Sequence, residues 1–248
     1  MVAMILAAGL GTRLRPLTND TPKALVPVAN VPMLERVVRR CLDAGATRLV
    51  VNVSYLGEQV ADFIEANDGF GVDVQISDEP DGPLETGGGI KKAAPLLPDD
   101  APVLVHNADI LTSVDLRALY AAHVADDRSP LATLAVTPAE SGRYLVFDDG
   151  GLAGYAIDGE EKLMRDRQGT TRRYDFCGVH VVSREMVDML CAEDGEKFSV
   201  MDSYLRAAKH GRVIAAFEGG HTCHDVGTHE RLEEAGRLVT AWEAEGKR

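Results

Sequence analysis

Two cations and two carboxylates stand out in this chain, each beside a turn that carries glycine. Leu6-Ala7-Ala8-Gly9-Leu10-Gly11-Thr12-Arg13 runs from an apolar stretch into a loop, and Thr21-Pro22-Lys23-Ala24-Leu25 follows shortly after. Gly9 and Gly11 let backbone N–H groups approach an anion with no Cβ in the way. Arg13 and Lys23 bring fixed positive charge to the same place, a combination that suits a polyphosphate. Two common phosphate loops are excluded by residue type. A dinucleotide fingerprint needs a third glycine where Leu14 stands, and a Walker loop needs Gly-Lys-Ser/Thr where Thr12-Arg13 stands.

A second glycine-rich run, Pro83-Leu84-Glu85-Thr86-Gly87-Gly88-Gly89-Ile90, reads as the opening of a helix. Three consecutive glycines cost backbone entropy, and close approach of a ligand is the expected compensation. The carboxylates are Asp109, just past the apolar run Val103-Leu104-Val105-His106-Asn107, and Asp225 in Thr222-Cys223-His224-Asp225-Val226-Gly227. Mg²⁺ takes one or two protein carboxylates and completes its shell with substrate phosphate oxygens and water. Taken singly, each aspartate is more often a turn residue or a helix cap. His221, Cys223 and His224 invite a zinc reading. Strand alternation places His221, Cys223 and Asp225 on one face with His224 opposite, and no second Cys/His cluster supplies the remaining ligands. They are taken as neighbours of the aspartate.

The elements that must position these groups follow from periodicity. Val2–Ala7, Arg48–Val53, Val72–Ile76 and Pro102–His106 are continuous apolar runs, as in strands buried on both faces. Helix-period segments lie between and after them, at Val31–Ala44, Gly57–Ala66, Gly88–Leu97 and Val114–Ala125. This βαβα order predicts an α/β fold with a doubly wound, mostly parallel sheet, whose ligands sit at the carboxyl ends of the strands. From Leu131 the pattern turns to strands, at Leu131–Thr137, Arg143–Asp148, Gly151–Ala156 and Tyr174–Val182, which predicts a small antiparallel lobe. Helices at Arg184–Cys191 and Val200–His210 follow, then strands at Val213–Phe217 and Thr222–Val226 and a helix at Thr228–Glu245. One domain over 1–248 is expected, with a nucleotide-binding half at 1–130 and the remainder at 131–248.

The 248 residues carry a net charge of −13, which argues against nucleic acid or an anionic membrane as partner. Residues 1–40 nevertheless hold six basic side chains against two acidic ones, +4 in an otherwise −17 chain. A basic start in an acidic protein suits a small anion held there. The four cysteines form no C-x-x-C pair, and the apolar start lacks a basic flank, so reduced thiols and a cytoplasmic location are expected.

The segment Leu6–Arg13 with Pro22-Lys23, the run Pro83–Ile90, Asn107-x-Asp109 and Asp225-Val226-Gly227-Thr228 together resemble the sugar-1-phosphate nucleotidyltransferases. The resemblance covers nearly the whole chain and is nearest to compact N-acetylmuramate-1-phosphate uridylyltransferases and mannose-1-phosphate guanylyltransferase-like proteins. It implies a Rossmann-like fold and a Mg²⁺-dependent transfer from a nucleoside triphosphate to a sugar 1-phosphate, releasing pyrophosphate. Leu6, Ala7, Ala8, Gly9, Gly11, Thr12, Arg13 and Lys23 would hold the nucleotide, with Arg13 and Lys23 catalytic. Pro83, Glu85, Gly87 and Asn107 would border the base and ribose, and Asp109 and Asp225 would bind the metal. For the sugar, Asn107, Gly142, Arg143 and Gly178 are the candidates. The family's Glu-Lys-Pro motif is missing, although Glu161-Lys162 partly resembles it. UTP with an N-acetylhexosamine 1-phosphate, N-acetylmuramate 1-phosphate included, is the expected pair. The alternatives are a GTP-dependent mannose- or heptose-1-phosphate enzyme and a non-catalytic NDP-sugar-binding homologue. A monomer or homodimer is expected.

Overall fold

The computed structural model describes residues 1–244. Its parallel centre is built from the apolar runs of the first half. Strands β1 (Val2–Leu6), β4 (Arg48–Val53), β5 (Asp73–Asp78) and β6 (Val103–Asn107) lie in the order β5-β4-β1-β6, every pair parallel. A short hairpin, β2 (Pro27–Val28) and β3 (Val31–Pro32), interrupts the first crossover. The crossover helices are α1 (Met33–Asp43), α2 (Gly57–Ala66) and α3 (Glu85–Ala93). From β1 the chain crosses to β4 on one side, and from β5 it returns to β6 on the other. The crevice at this reversal, outside the carboxyl ends of β1 and β6, is where open α/β sheets place their ligands.

Strand alternation sorts the core into two layers. Met4 of β1 packs with Ile90 and Ala93 of α3, and with residues of α5 (Arg184–Cys191) and α6 (Val200–Lys209). Ala3 and Ile5 face the other way, onto α1, α2 and α4 (Leu116–Ala125). Side chains on both faces of β1 are thus buried, which explains its unbroken apolar sequence.

The second half continues the same sheet. After the three-residue β7 (Ile110–Thr112) come β8 (Ala132–Pro138), β9 (Tyr144–Asp148), β10 (Gly151–Ile157), β11 (Glu160–Leu163) and β12 (Arg172–Val182). The long β12 runs antiparallel to β6, with Val179 opposite His106, and then to β9, with Tyr174 opposite Leu145. Between these partners its register with β8 breaks, from Phe176 to His180, and Gly178 sits in the break at φ +66°. The expected antiparallel strands are β8, β9, β10 and β12; β9 and β10, joined by the unexpected β11, form the far end of a ten-stranded sheet. β13 (Ile214–Phe217) adds parallel to β8, and β14 (Cys223–Asp225) pairs antiparallel with β7. Helix α7 (His229–Ala244) closes over β2 and α1, packing Ala235 and Val239 on Val28 and Met33; Glu245, the expected last helical residue, lies outside the described residues.

Two boundaries differ from expectation for identifiable reasons. Val31 and Pro32 belong to the β2–β3 hairpin, so α1 begins only at Met33. Helix α3 begins at Glu85, three residues before the expected Gly88, and gives way to a tight turn at Ala94–Leu96. The glycines are therefore inside the helix, for packing reasons given below. No helix among the described residues is long and apolar enough to cross a membrane.

Candidate active site

The ends of β1, β4 and β6 surround a cavity of about 170 Å³ lined by Leu6, Ala7, Ala8, Gly9, Lys23, Asn52, Pro83, Glu85, Thr86, Asn107 and Asp109. A second cavity of about 340 Å³ adjoins it through Gly9, Lys23, Pro83 and Glu85, and extends over Gly11, Thr12, Arg13, Lys197 and Gly227. One compartment is walled mainly by backbone and small side chains. The other carries three cations. A nucleoside and its phosphates differ in the same way.

Lys23 stands where the two compartments meet. Its ammonium donates to Asp109 Oδ2, and its side chain is only 12% exposed, against 63% for Arg13. Asp109 ends the turn after β6, and its carbonyl accepts from Val226 N at 2.8 Å. That bond, with the pairing of Asp225 to Ile110, brings the backbones at the two aspartates onto neighbouring segments of chain. Asp225 Oδ2 accepts from Arg231 Nη1 at 2.9 Å and lies 4.0 Å from Arg13 Nη2. Its Oδ1 is buried without a hydrogen-bond partner, as is Asn107 Oδ1. Buried acceptors left unpaired are costly, and a cation satisfies them. Gly227 makes this approach sterically feasible, since a Cβ there would lie 2.6 Å from both Arg13 Nη2 and Asp225 Oδ1.

The loop after β1 has its own local logic. Gly11 adopts φ +63°, and a Cβ there would meet Thr18 Cγ2 at 2.8 Å and Lys23 Cβ at 3.0 Å. Thr18 Oγ1 donates to the Gly11 carbonyl at 2.8 Å, fixing the turn. A buried polar chain ties this loop to the glycine-rich helix. Ala7 N donates to Asn52 Oδ1 (2.7 Å), Asn52 Nδ2 donates to Glu79 Oε1 (2.7 Å), and Leu84 N donates to Glu79 Oε2 (2.8 Å). Among the described residues, those lining the two cavities include no cysteine, serine or histidine. His106 is fully buried, with its Nδ1 against the Asn107 carbonyl, and burial pushes its pKa down to about 4. It stays neutral near pH 7.

The nucleotidyl transferase family model matches residues 2–241. The chain belongs to that family. It is similar to the N-acetylmuramate alpha-1-phosphate uridylyltransferase of Neisseria meningitidis serogroup B, 35% identical over 98% of this chain and 100% of that protein. The mannose-1-phosphate guanyltransferase of Gibberella zeae is 37% identical, over 56% of this chain and 38% of its own. Among solved structures, the inositol-1-phosphate CTP transferase of T. maritima superposes with a TM-score of 0.76 at 15% identity, covering 96% of this chain and 94% of that one, which speaks for the fold. The chain is a sugar-1-phosphate nucleotidyltransferase.

Within this nucleotidyltransferase, Leu6, Ala7, Ala8, Gly9, Gly11, Thr12, Arg13, Lys23, Pro83, Glu85, Asn107 and Asp109 all line the two cavities, with Asp225 touching their edge through Arg13 and Gly227. Glu85 holds an unusual φ of +63° for a non-glycine residue and is exposed at the cavity rim. Gly87 does not line either cavity. A Cβ on it would lie 2.5 Å from the Phe198 ring, and one on Gly88 would lie 2.0 Å from the Glu196 carbonyl oxygen. The N–H groups of Gly87 and Gly88 both donate to the Phe198 carbonyl, so the amides of these two glycines are not open to a ligand. The glycines let the loop before α6 press against α3. Packing against that loop is what the structure shows for this glycine run.

The sugar-side candidates divide. Gly178 lies beneath Asn107, where a Cβ would come within 2.8 Å of Asn107 Nδ2. Gly142 and Arg143 line neither cavity; Gly142 packs by Asp158 and Gly159, and Arg143 N donates to Ser141 Oγ on an exposed turn. Glu161 is occupied by Arg167, Arg173 and Tyr144, while Lys162 is exposed on the edge strand β11. Sequence reading missed Lys197, which comes from Glu196-Lys197 just ahead of α6 and faces the phosphate-like compartment. It also missed the pair Asn52–Glu79. The available signal was a polar residue closing a buried apolar strand, Leu49-Val50-Val51-Asn52.

Proposed function

We propose that this enzyme transfers a uridylyl group from UTP to an N-acetylhexosamine 1-phosphate, with N-acetylmuramate 1-phosphate the leading acceptor. The observation that carries the catalytic part is the Lys23–Asp109 contact at the junction of the two compartments, with Asp225 held alongside. The substrate pair rests on full-length likeness to the meningococcal uridylyltransferase, against a match to the guanyltransferase that stops at little more than half of the chain.

In this reading the nucleoside occupies the smaller cavity, between Leu6–Gly9 and Pro83–Thr86. The triphosphate crosses Lys23 into the compartment of Gly11, Thr12, Arg13 and Lys197. Asp109 and Asp225 would hold Mg²⁺. A carboxylate with an unpartnered buried oxygen, and a second one at the cavity wall, fit an ion that takes its other ligands from phosphate oxygens. Bound there, Mg²⁺ supplies charge neutralisation on the reacting phosphates. An oxygen of the sugar phosphate attacks the α-phosphorus in line, and the bond to the β-phosphate oxygen breaks to release pyrophosphate. That nucleophile is already anionic, so no general base is required. Lys23 stabilises the α-phosphate as charge shifts, and Arg13 and Lys197 receive the departing pyrophosphate. Catalysis is then alignment and electrostatics.

A GTP-dependent reading has one observation in its favour. The exposed Glu85 carboxylate at the rim is an acceptor suited to guanine N–H groups. Pyrophosphate release measured over a matrix of UTP, GTP, CTP and dTTP with N-acetylmuramate, N-acetylglucosamine and mannose 1-phosphates decides between the two. Preference for UTP with the N-acetylated sugars is expected. Preference for GTP with mannose 1-phosphate would replace the substrate assignment and keep the class.

A further inference from the structure

The structure adds what the sequence lacked for a soft-metal site: a third ligand from a distant strand. Cys177 of β12, Cys223 of β14 and His221 place two sulfurs and a ring nitrogen within 4.8 Å of one another. We propose that these three residues bind a zinc-class divalent cation that staples β14 to β12. The site is separate from the Asp109–Asp225 pair and does not depend on the function proposed above.

The donor set is that of a tetrahedral thiolate–imidazole site with one position left for water. All three side chains are positioned by the fold. Cys177 is buried, next to Gly178 in the register break of β12, and lies with Cys223 in the apolar layer that holds Val179 and Ala135. His221 stacks on Phe217 with the rings 7° from parallel, and Gly219 leaves room for it, since a Cβ there would sit 3.3 Å from Nδ1. Both imidazole nitrogens are buried and make no hydrogen bond of normal geometry.

Thr112 provides for a thiolate. Its hydroxyl is 3.1 Å from Cys223 Sγ and 2.8 Å from the Thr222 carbonyl. That carbonyl also accepts from Ser113 N, so the Thr112 hydroxyl can turn its proton onto a metal-bound sulfur without orphaning the carbonyl. The competing chemistry is a disulfide, although both cysteines are free thiols in the structure. A disulfide would leave both buried nitrogens of His221 without a partner, whereas a metal uses one of them directly. The consequence is local. Cys223 is two residues from Asp225, so a filled site fixes the strand that carries the second aspartate.

The test uses the full-length protein, reduced, stripped of metal and titrated with Co²⁺ and then Zn²⁺. One equivalent of Co²⁺ should produce a thiolate-to-cobalt charge-transfer band, and one equivalent of Zn²⁺ should remove it. Carboxylate-bound Co²⁺ gives no such band, so the Asp109–Asp225 pair cannot imitate the result. Cys223→Ser should abolish the band, and His221→Ala should weaken Zn²⁺ binding by at least about tenfold. Should either variant fail to fold, the wild-type titration decides alone. Reduced wild-type protein that shows no thiolate band overturns the site. So does thiol counting that finds Cys177 and Cys223 joined, with no metal uptake after reduction.

Discussion

Two glycine-rich segments border the same cleft and use glycine for opposite purposes. In Leu6–Arg13, Gly11 takes a left-handed conformation that turns the loop around the phosphate-like compartment, and a Cβ on Gly9 would make only van der Waals contact with Lys23. In Glu85–Ala93, the glycines are helical, and their missing Cβ atoms are filled by Phe198, the Glu196 carbonyl and the Asn52–Glu79 pair. Glycine in the first segment shapes a surface for a ligand. In the second it lets two pieces of protein touch. Sequence alone does not separate these cases, because both runs follow a strand and both precede helical turns.

The comparison is most exposed to failure at Gly88. Gly88→Ala would drive a methyl group into the Glu196 carbonyl at 2.0 Å, and the loop carrying Lys197 must then move. A loss of about 3 kcal/mol in urea unfolding is expected, at the upper end for overpacking. A variant as stable as wild type would show that the second run is not a packing device.

Gly11 and Gly9 sharpen the contrast within the first segment. Gly11→Ala meets both an unfavourable φ and Thr18 at 2.8 Å, and should cost about 2 kcal/mol while displacing Lys23. Gly9→Ala meets only Lys23 Cδ at 3.8 Å. Its stability should change by less than about 0.5 kcal/mol, with a raised KM for the nucleotide as the main effect. A large stability loss at Gly9, or none at Gly11, would reverse the assignment of roles.

Lys197 tests whether the packed segment serves the cleft indirectly. Lys197→Ala should leave the melting temperature unchanged and raise the nucleotide KM roughly tenfold, since one phosphate contact is worth about 1.4 kcal/mol. Unaltered kinetics would remove Lys197 from the phosphate compartment.

The smallest effect concerns pH. Burial holds His106 and His123 near 4 and His180 near 3, all below the ordinary value of 6.5. Between pH 6.5 and 4 the unfolded chain takes up protons at these positions and the folded protein does not. Stability therefore falls as pH drops through that window. Unfolding midpoints measured from pH 7 to 4.5 should decline steadily, and His180→Phe should flatten the decline. A flat wild-type profile would contradict the buried, neutral state of these rings.

Much of the parallel half was legible in sequence because strands buried on both faces leave unbroken apolar runs, as in Leu49-Val50-Val51. β7 and β11 were not. The first is three residues long, and the second, Glu160-Glu161-Lys162-Leu163, is a polar edge strand with no core face to mark it. At the site, Arg13, Lys23, Asp109 and Asp225 stand out in sequence because each lies beside a turn next to an apolar run, and the fold brings the first three to the two cavities. Lys197 and Cys177 were not readable, since each reaches its cluster only through tertiary folding. The same cause removed Arg143 from the cleft, because nothing local fixes which way a turn at a sheet edge faces.

We propose that Asp109, in the turn before β7, and Asp225 of β14 form the metal-dependent centre of nucleotidyl transfer. Pyrophosphate release by Asp109→Asn and Asp225→Asn, at saturating UTP, sugar 1-phosphate and Mg²⁺, tests it most directly. Each variant should lose about 100- to 1,000-fold in kcat, the cost of removing one preorganised charge from such a site, while melting within a few degrees of wild type. Turnover within a few-fold of wild type in both variants would contradict the account.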